Sequence, residues 1–179
     1  MERSDLSAGD RGAFERLVEE LADRVYNIAL RITGDASDAE DATQEAFLAA
    51  WRGWGGFRHQ SSPTTWLYRI AVNASLQRVR RRRPSDYLSD ISDAEAPVQD
   101  WSSSVPELVE QGELRDLVLG GLAQLEPDQR TALVLRDIDG LSTAEAAEVL
   151  DISVSALKSR LHRARTALRH HLADYFGER

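Results

Sequence analysis

The stretch "LSTAEAAEVLDISVSALKSRLHRAR", residues 141–165, contains the pattern that decides the fold. Ser142 and Glu145 have the spacing of a capping box, which predicts that a helix begins there. The letters "DIS" at 151–153 predict a short turn, and Val154 is predicted to start a long basic helix. A short helix, a tight turn and a long second helix form the helix-turn-helix arrangement, which commonly binds DNA.

The predicted second helix has two different sides. Apolar residues that fall within about 80° of one another predict its packing side: Val154, Leu157, Leu161, Ala164 and Leu168. The outward side is polar and predicts base contacts: Ser155, Lys158, Ser159, His162 and Arg163. Arg160 and Arg165 flank the apolar stripe, where we expect them to contact phosphates. A solvated helix usually mixes Glu with Lys, but no acid occurs from Ser153 to Leu172. DNA binding is therefore favoured over a merely solvated surface.

Charge is distributed in blocks along a chain whose net charge is -8. Residues 63–83 contain six arginines and no acid, and residues 153–179 have a net charge of +4. The segments between them, 84–117 and 118–152, have net charges of -8 and -5. Two basic segments separated by acidic ones predict two contacts with a polyanion.

Several function classes are disfavoured by composition. The chain contains no cysteine, which excludes a disulfide framework and a thiolate zinc site. It has no long apolar run and no apolar signal core, so we expect a soluble cytoplasmic protein without membrane insertion. The four histidines form no HExxH motif, and no glycine-rich phosphate loop occurs. We therefore expect no catalytic residue, no metal site and no cofactor.

Helical periodicity predicts an all-α fold of two small domains joined by an acidic linker. Three helices are predicted in a first domain, 1–84, with Gly34 ending the first and Ser62-Pro63 starting the third. Residues 85–106 are rich in Ser, Asp and Pro, which predicts a flexible linker. The second domain, 107–179, is predicted to contain two helices, about 106–125 and 127–137, before the helix-turn-helix.

The second predicted helix has a mostly acidic face and an alanine face. The acidic face is formed by Asp38, Asp41, Gln44, Glu45, Leu48 and Arg52. The alanine face is formed by Ala39, Ala42, Ala46 and Ala49. The acidic face is either solvated or a docking surface for a basic partner.

Aromatic and basic residues mix in the segment that follows. Trp51, Trp54 and Trp66 are predicted to be core, and Phe57 to be functional. A polar stripe is predicted along the third helix: Arg69, Asn73, Leu76 and Arg80, with Gln77 beside it. An aromatic loop followed by a basic helix suits single-stranded nucleic acid, because bases can stack while the backbone follows positive charge.

Three stretches together resemble the extracytoplasmic-function (ECF) sigma factors, the smallest members of the bacterial sigma-70 family. They are "DAEDATQEAFLAAW" at 38–51, "TTWLYRIAVNA" at 64–74, and the helix-turn-helix quoted above. The resemblance implies a non-catalytic subunit that gives RNA polymerase its promoter specificity. Such a subunit binds promoter DNA and the bacterial RNA polymerase core, where it contacts the β′ clamp helices and the β subunit. It also implies control by an anti-sigma factor.

The resemblance assigns roles to particular residues. The docking set for the clamp helices is Asp38, Asp41, Gln44, Glu45 and Leu48. The residues expected to contact the minus-ten promoter element are Phe57, Arg58, Arg69, Asn73, Gln77 and Arg80. The residues expected to contact the minus-thirty-five promoter element are Ser155, Lys158, Ser159, Arg160, His162, Arg163 and Arg165. The linker would occupy the RNA path of the polymerase.

Two departures from the family pattern and two alternative functions remain. The turn "DISVS" contains no Gly, and His162 stands where many members have a larger apolar or aromatic residue. A stand-alone regulator could use the same helix-turn-helix, but it would leave the two N-terminal motifs unexplained. A metal hydrolase would need a ligand motif that this sequence lacks.

Overall fold

The computed structural model describes residues 8–57, 61–82 and 112–177, and within these ranges all regular structure is helical. The predicted all-α class is therefore confirmed. Contacts divide the chain into two compact units, Met1–Arg78 and Val79–Arg179. The predicted linker at 85–106 lies outside the described residues.

Three helices form the first unit and lead out of it: α1 Ala8–Thr33, α2 Ala36–Trp54 and α3 Pro63–Arg82. Gly34 ends α1 as predicted, with a left-handed φ of 69° that glycine adopts without steric cost. Ser62 Oγ accepts the Thr65 N–H at 3.0 Å just before Pro63, which confirms the predicted start of α3. Asp35 provides the corresponding cap for α2.

Small side chains allow the three helices to approach closely. Ala29 of α1, Ala39 and Ala42 of α2, and Ala74 of α3 form one buried cluster. The predicted alanine face of α2 needs one correction. Ala39, Ala42 and Ala46 are buried as predicted, but Ala49 is exposed and Ala50 is buried in its place. The buried side of α2 is therefore rotated slightly about the helix axis, from Ala49 towards Ala50, relative to the predicted side.

The second unit has four described helices and one π-helical segment. They are α4 Gly112–Gln124, α5 Pro127–Leu133, the π segment Val134–Ile138, α6 Thr143–Leu150 and α7 Val154–Gly177. The sequence predicted an uninterrupted helix up to Asp137. A π turn inserts one extra residue into a helical turn and changes where the following side chains point. Here Asp137 is buried, with 3% of its surface exposed.

The helix-turn-helix is formed by α6, the turn 151–153 and α7. The predicted capping box is confirmed: Ser142 Oγ accepts the Glu145 N–H at 3.2 Å, and Glu145 Oε2 accepts the Ser142 N–H at 2.8 Å. At the other end of α6, Asp151 takes the left-handed position, with φ 54° and ψ 46°. The turn therefore forms without glycine, because Asp tolerates this conformation better than most residues.

Helix α7 packs against α4, α5 and α6. Its buried side contains Leu157, Leu161, Ala164 and Leu168, as predicted. Val154 was expected to join them and does not, since 43% of its surface is exposed. It lies on the first turn of α7, where the packing interface has not yet begun.

Candidate nucleic-acid and protein interfaces

The outward surface of α7 is called the α7 face: Ser155, Lys158, Ser159, His162 and Arg163. Ser155, Lys158 and Arg163 are exposed, and Ser159 and His162 are half-buried. Ser153 Oγ accepts the Ala156 N–H at 3.1 Å and caps the first turn. The buried side of the same helix fixes its rotation. The α7 face is therefore a rigid, accessible row of hydrogen-bond donors.

The two flanking arginines are engaged within the second unit. Arg160 Nη2 lies 3.1 Å from Asp128 Oδ2 at a partly exposed site, so it remains near the surface. Arg165 is buried, and its guanidinium donates two hydrogen bonds to the Asp137 carboxylate. The predicted phosphate contact by Arg165 is therefore wrong, because the side chain is enclosed in the protein. Periodicity placed Arg165 beside the apolar stripe but gave no sign of Asp137 opposite.

The acidic surface of α2 is called the α2 face: Asp38, Asp41, Gln44, Glu45 and Leu48. Asp41, Gln44 and Leu48 are exposed, whereas Asp38 and Glu45 are half-buried. Leu48 leaves 48% of its surface accessible and lies one helical turn after the polar Gln44 and Glu45. An apolar centre with a polar rim is typical of a protein-docking surface.

Arg78 of α3 bridges two members of the α2 face. Its Nη1 lies 2.8 Å from Asp41 Oδ2, and its Nη2 donates to Glu45 Oε1. The hydrogen bond to Glu45 raises the pKa of Arg78 above its usual value. Sequence reasoning missed Arg78 because it placed only neighbouring α3 residues in the basic stripe. A single internal cation thus offsets part of the negative charge of two carboxylates of the α2 face.

The polar surface of α3 is called the α3 face: Arg69, Asn73, Gln77 and Arg80. Asn73, Gln77 and Arg80 are exposed, and Arg69 is half-buried. Leu76, which the sequence placed in this stripe, is instead buried, with 8% of its surface exposed. The predicted contact at Arg58 lies outside the described residues.

Phe57 belongs to an aromatic cluster at the end of α2. Its ring stacks on Trp54 at 5.7 Å between centroids with an interplanar angle of 9°, and lies 5.0 Å from Trp66. Phe14 of α1 contacts both Trp51 and Trp54. The three tryptophans are half-buried, and two of them, Trp54 and Trp66, contact Phe57. The cluster therefore holds Phe57, the third residue of the loop after α2, against the helices.

The described part of the chain has neither a metal site nor a membrane-spanning helix. It contains no group of three or more His, Cys, Asp or Glu side chains that could hold a metal ion. No helix within it is long and apolar enough to cross a membrane.

Comparisons with known proteins identify the two units. Residues 17–84 match sigma-70 region 2, and residues 115–168 match sigma-70 region 4. Over 176 residues, the chain is 35% identical to the ECF RNA polymerase sigma factor SigW of Bacillus subtilis, covering 93% of this chain and 92% of the relative. The chain belongs to the ECF sigma factors of the sigma-70 family. It is an RNA polymerase sigma factor and directs promoter-specific transcription initiation.

Two solved structures resemble this ECF sigma factor along most of its length. CnrH in complex with the cytosolic domain of CnrY matches 92% of the chain at 28% identity, with a TM-score of 0.67. The sigma factor RpoE in complex with the anti-sigma factor NepR, from Bartonella quintana, matches 89% at 26% identity, with a TM-score of 0.66.

The family assignment gives each surface a regional position. The α2 and α3 faces lie within the match to region 2, and the α7 face lies within the match to region 4. Most residues that the sequence placed on these three surfaces are at least partly exposed, with Leu76 and Arg165 as the exceptions. Sequence reasoning did not anticipate Arg78, the Asp137–Arg165 pair or the exposure of Val154, all of which depend on how separate helices pack.

Proposed function

We propose that the α7 face reads the minus-thirty-five element in the major groove. The main support is the α7 face itself, which presents hydrogen-bond donors at helical spacing opposite a buried apolar side. No acidic residue occurs from Ser153 to Leu172. Lys and Arg side chains can meet guanine O6 and N7 there. Arg160, near the surface beside Asp128, would contact a phosphate.

The α3 face and Phe57 would bind the minus-ten element as its strands separate. Holding an extruded base costs a few kcal/mol, which a preformed pocket offsets. Phe57 is anchored by Trp54 and Trp66, so the beginning of the loop needs little reordering. Asn73 and Gln77 are exposed amides one helical turn apart, a spacing suited to successive groups of a single strand. Arg58 would add positive charge at this site.

The α2 face would dock on the clamp helices of the polymerase β′ subunit. Leu48 would supply the apolar centre, and Asp41 and Glu45 would supply the charge for a basic partner. Gln44, exposed between them, would donate or accept at the rim. Docking would hold the sigma factor on the polymerase, so the acidic chain would not need to bind DNA tightly alone.

The domain limits are part of the same proposal. Residues 1–84 would form the region 2 domain, 85–106 an acidic linker in the RNA path, and 107–179 the region 4 domain that also meets the β subunit. The protein would act in the cytoplasm, where the polymerase is. It would need no cofactor and would catalyse no reaction itself.

An anti-sigma factor would control the protein. Support comes from the RpoE structure, which contains the anti-sigma factor NepR, and from CnrH, which is bound to the cytosolic domain of CnrY. Such a partner would inhibit by covering the α2 face, where the apolar Leu48 is 48% exposed. Substitution of Leu48 would then weaken both core binding and inhibitor binding.

A reconstituted polymerase tests the proposal. The protein is mixed with bacterial core polymerase and a randomised promoter library, and transcription start sites are mapped. We expect initiation from promoters that share minus-ten and minus-thirty-five elements. The absence of promoter-selective initiation would contradict the proposal. A stand-alone regulator would instead bind selected DNA equally well without the polymerase.

Two variants separate the surfaces of region 2 in the same assay. Asn73→Ala should impair use of the minus-ten element while core binding persists. Asp41→Asn should weaken core binding first, with an unchanged preference among the promoters that are still used. Equal loss of core binding by both variants would show that the division of roles is wrong.

A further inference from the structure

Val154 is an apolar side chain exposed at the beginning of α7, the second helix of the helix-turn-helix. Only three large apolar residues among the described side chains are strongly exposed, namely Leu48, Leu119 and Val154. The following apolar residues of α7 are buried, with Leu157 at 0% and Leu161 at 3% exposure. Helix packing therefore does not account for a valine at position 154.

Its backbone is held firmly in place. At the end of α6, the Ile152 N–H donates to the Ala147 carbonyl at 3.1 Å. In the first turn of α7, the Leu157 N–H donates to the Ser153 carbonyl at 3.0 Å. Valine is also β-branched, so its χ1 is more restricted than that of an unbranched side chain. The two methyl groups of Val154 therefore have few accessible directions.

Val154 shares a row with two members of the α7 face. Residues four apart on a helix are neighbours on its surface, so Val154, Lys158 and His162 follow one another along α7. Lys158 is exposed, and the helix has no acid from Ser153 to Leu172. The row thus combines an apolar group with a cation on a surface whose charge is complementary to DNA.

We propose that Val154 is a specificity-determining residue that contacts the C5-methyl group of a thymine in the minus-thirty-five duplex. The inference rests on the proposed role of the α7 face. Residues at the beginning of a recognition helix lie close to base edges. Among the groups that distinguish base pairs in the major groove, the thymine methyl is the apolar one. Val154 would remove this methyl from water and select thymine at one position.

Deoxyuridine differs from thymidine only by lacking this methyl group, and it provides the test. The preferred minus-thirty-five element is first selected from a randomised library with the wild-type polymerase holoenzyme. Each thymine of the element, on either strand, is then replaced singly by deoxyuridine, and promoter binding is measured. At one position we expect wild-type binding to fall about fourfold, as for a buried methyl group.

A holoenzyme with Val154→Ala should bind the thymine promoter and the promoter with deoxyuridine at that position equally well. At the other positions, the ratio of binding to the thymine promoter over the deoxyuridine promoter should stay as in wild type. Leu119→Ala is the matched control, since Leu119 is a similarly exposed apolar residue on α4, and its ratios should equal those of wild type. The proposal is overturned if no deoxyuridine substitution weakens wild-type binding, or if Val154→Ala keeps the fourfold ratio. A Val154→Ala protein that loses core binding instead would assign the residue to a protein contact. Failure of wild type to select any minus-thirty-five element would count separately, against the role of the α7 face.

Discussion

Arg165 of α7 and Asp137 of the π segment form a buried, bidentate ion pair. Arg165 Nε lies 2.8 Å from Asp137 Oδ2, and Nη2 lies 2.7 Å from Oδ1. The two side chains are 8% and 1% exposed. Because both hydrogen bonds are parallel and the guanidinium is planar, the pair fixes α7 against the π segment before the helix-turn-helix.

Removing one partner should be far more harmful than removing both. Arg165→Ala leaves the Asp137 carboxylate buried without its cation, which should destabilise the second unit by about 3–5 kcal/mol. The double variant Asp137→Leu with Arg165→Met should recover most of this loss. Hydrogen exchange of the α5 and α7 amides in the full chain measures the effect within this unit. Arg163→Ala is the control, because Arg163 is exposed. Equal exchange in Arg165→Ala and Arg163→Ala would contradict the structural role of the pair.

Adjacent glycines of α4 should respond in opposite ways to alanine. A Cβ at Gly121 would lie 2.5 Å from Leu168 Cδ1 and 2.8 Å from His171 Cδ2, whereas at Gly120 the nearest atom, His171 Nε2, is 3.7 Å away. Gly120→Ala should therefore raise the free energy of unfolding by about 0.5–1 kcal/mol through lower chain entropy. Gly121→Ala should lower it by about 1–3 kcal/mol through overpacking. Urea unfolding of the full chain followed by circular dichroism measures both, and stabilisation by Gly121→Ala would show that α4 and α7 are not so closely packed.

Arg78 should compete with the polymerase for the α2 face. An exposed ion pair is worth up to about 1 kcal/mol, so Arg78→Gln should strengthen core binding by up to about fivefold as it releases Asp41 and Glu45. The gain should shrink as salt is added, because these charges are partly exposed. Fluorescence-detected binding to core polymerase measures it, with Arg80→Gln as the control on the same helix. Weaker core binding by Arg78→Gln would show that the bridge orders the α2 face instead.

The capping box gives α6 a pH dependence. Hydrogen bonds from Ser142 lower the pKa of Glu145 from its ordinary value of 4.5. A lowered pKa in the folded state means that the ionised form stabilises the fold above pH 4.5, and that this contribution disappears as the pH falls through the folded-state pKa. Glu145→Gln keeps a hydrogen-bonding side chain but does not ionise. The thermal stability of wild type should therefore exceed that of Glu145→Gln at neutral pH and converge with it in acid. A stability difference that does not change with pH would contradict this assignment.

The sequence predicted features whose causes are local. The starts of α3 and α6 were predicted because Ser62, Pro63, Ser142 and Glu145 act on neighbouring backbone groups. The end of α1 followed in the same way from Gly34. These signals involve residues within one turn of each other, so they can be identified without knowing the tertiary fold.

Features that depend on two helices meeting were missed. Arg165 seemed to be a flanking base because the helical pattern of α7 contains no information about Asp137. Arg78 was overlooked because its partners are on α2. Val154 follows the apolar periodicity but lies where α7 has not reached its packing partners, so its exposure is set by the neighbouring helices.

Selection of the minus-thirty-five sequence by the α7 face is decided by a promoter-selection experiment. Holoenzymes containing wild type, Lys158→Ala or Arg163→Ala transcribe a library randomised only in that element, and the transcripts are sequenced. We predict that each variant loses preference at one base position, by about 1–3 kcal/mol, and keeps the preferences elsewhere. Base preferences identical to those of wild type in both variants would contradict the claim.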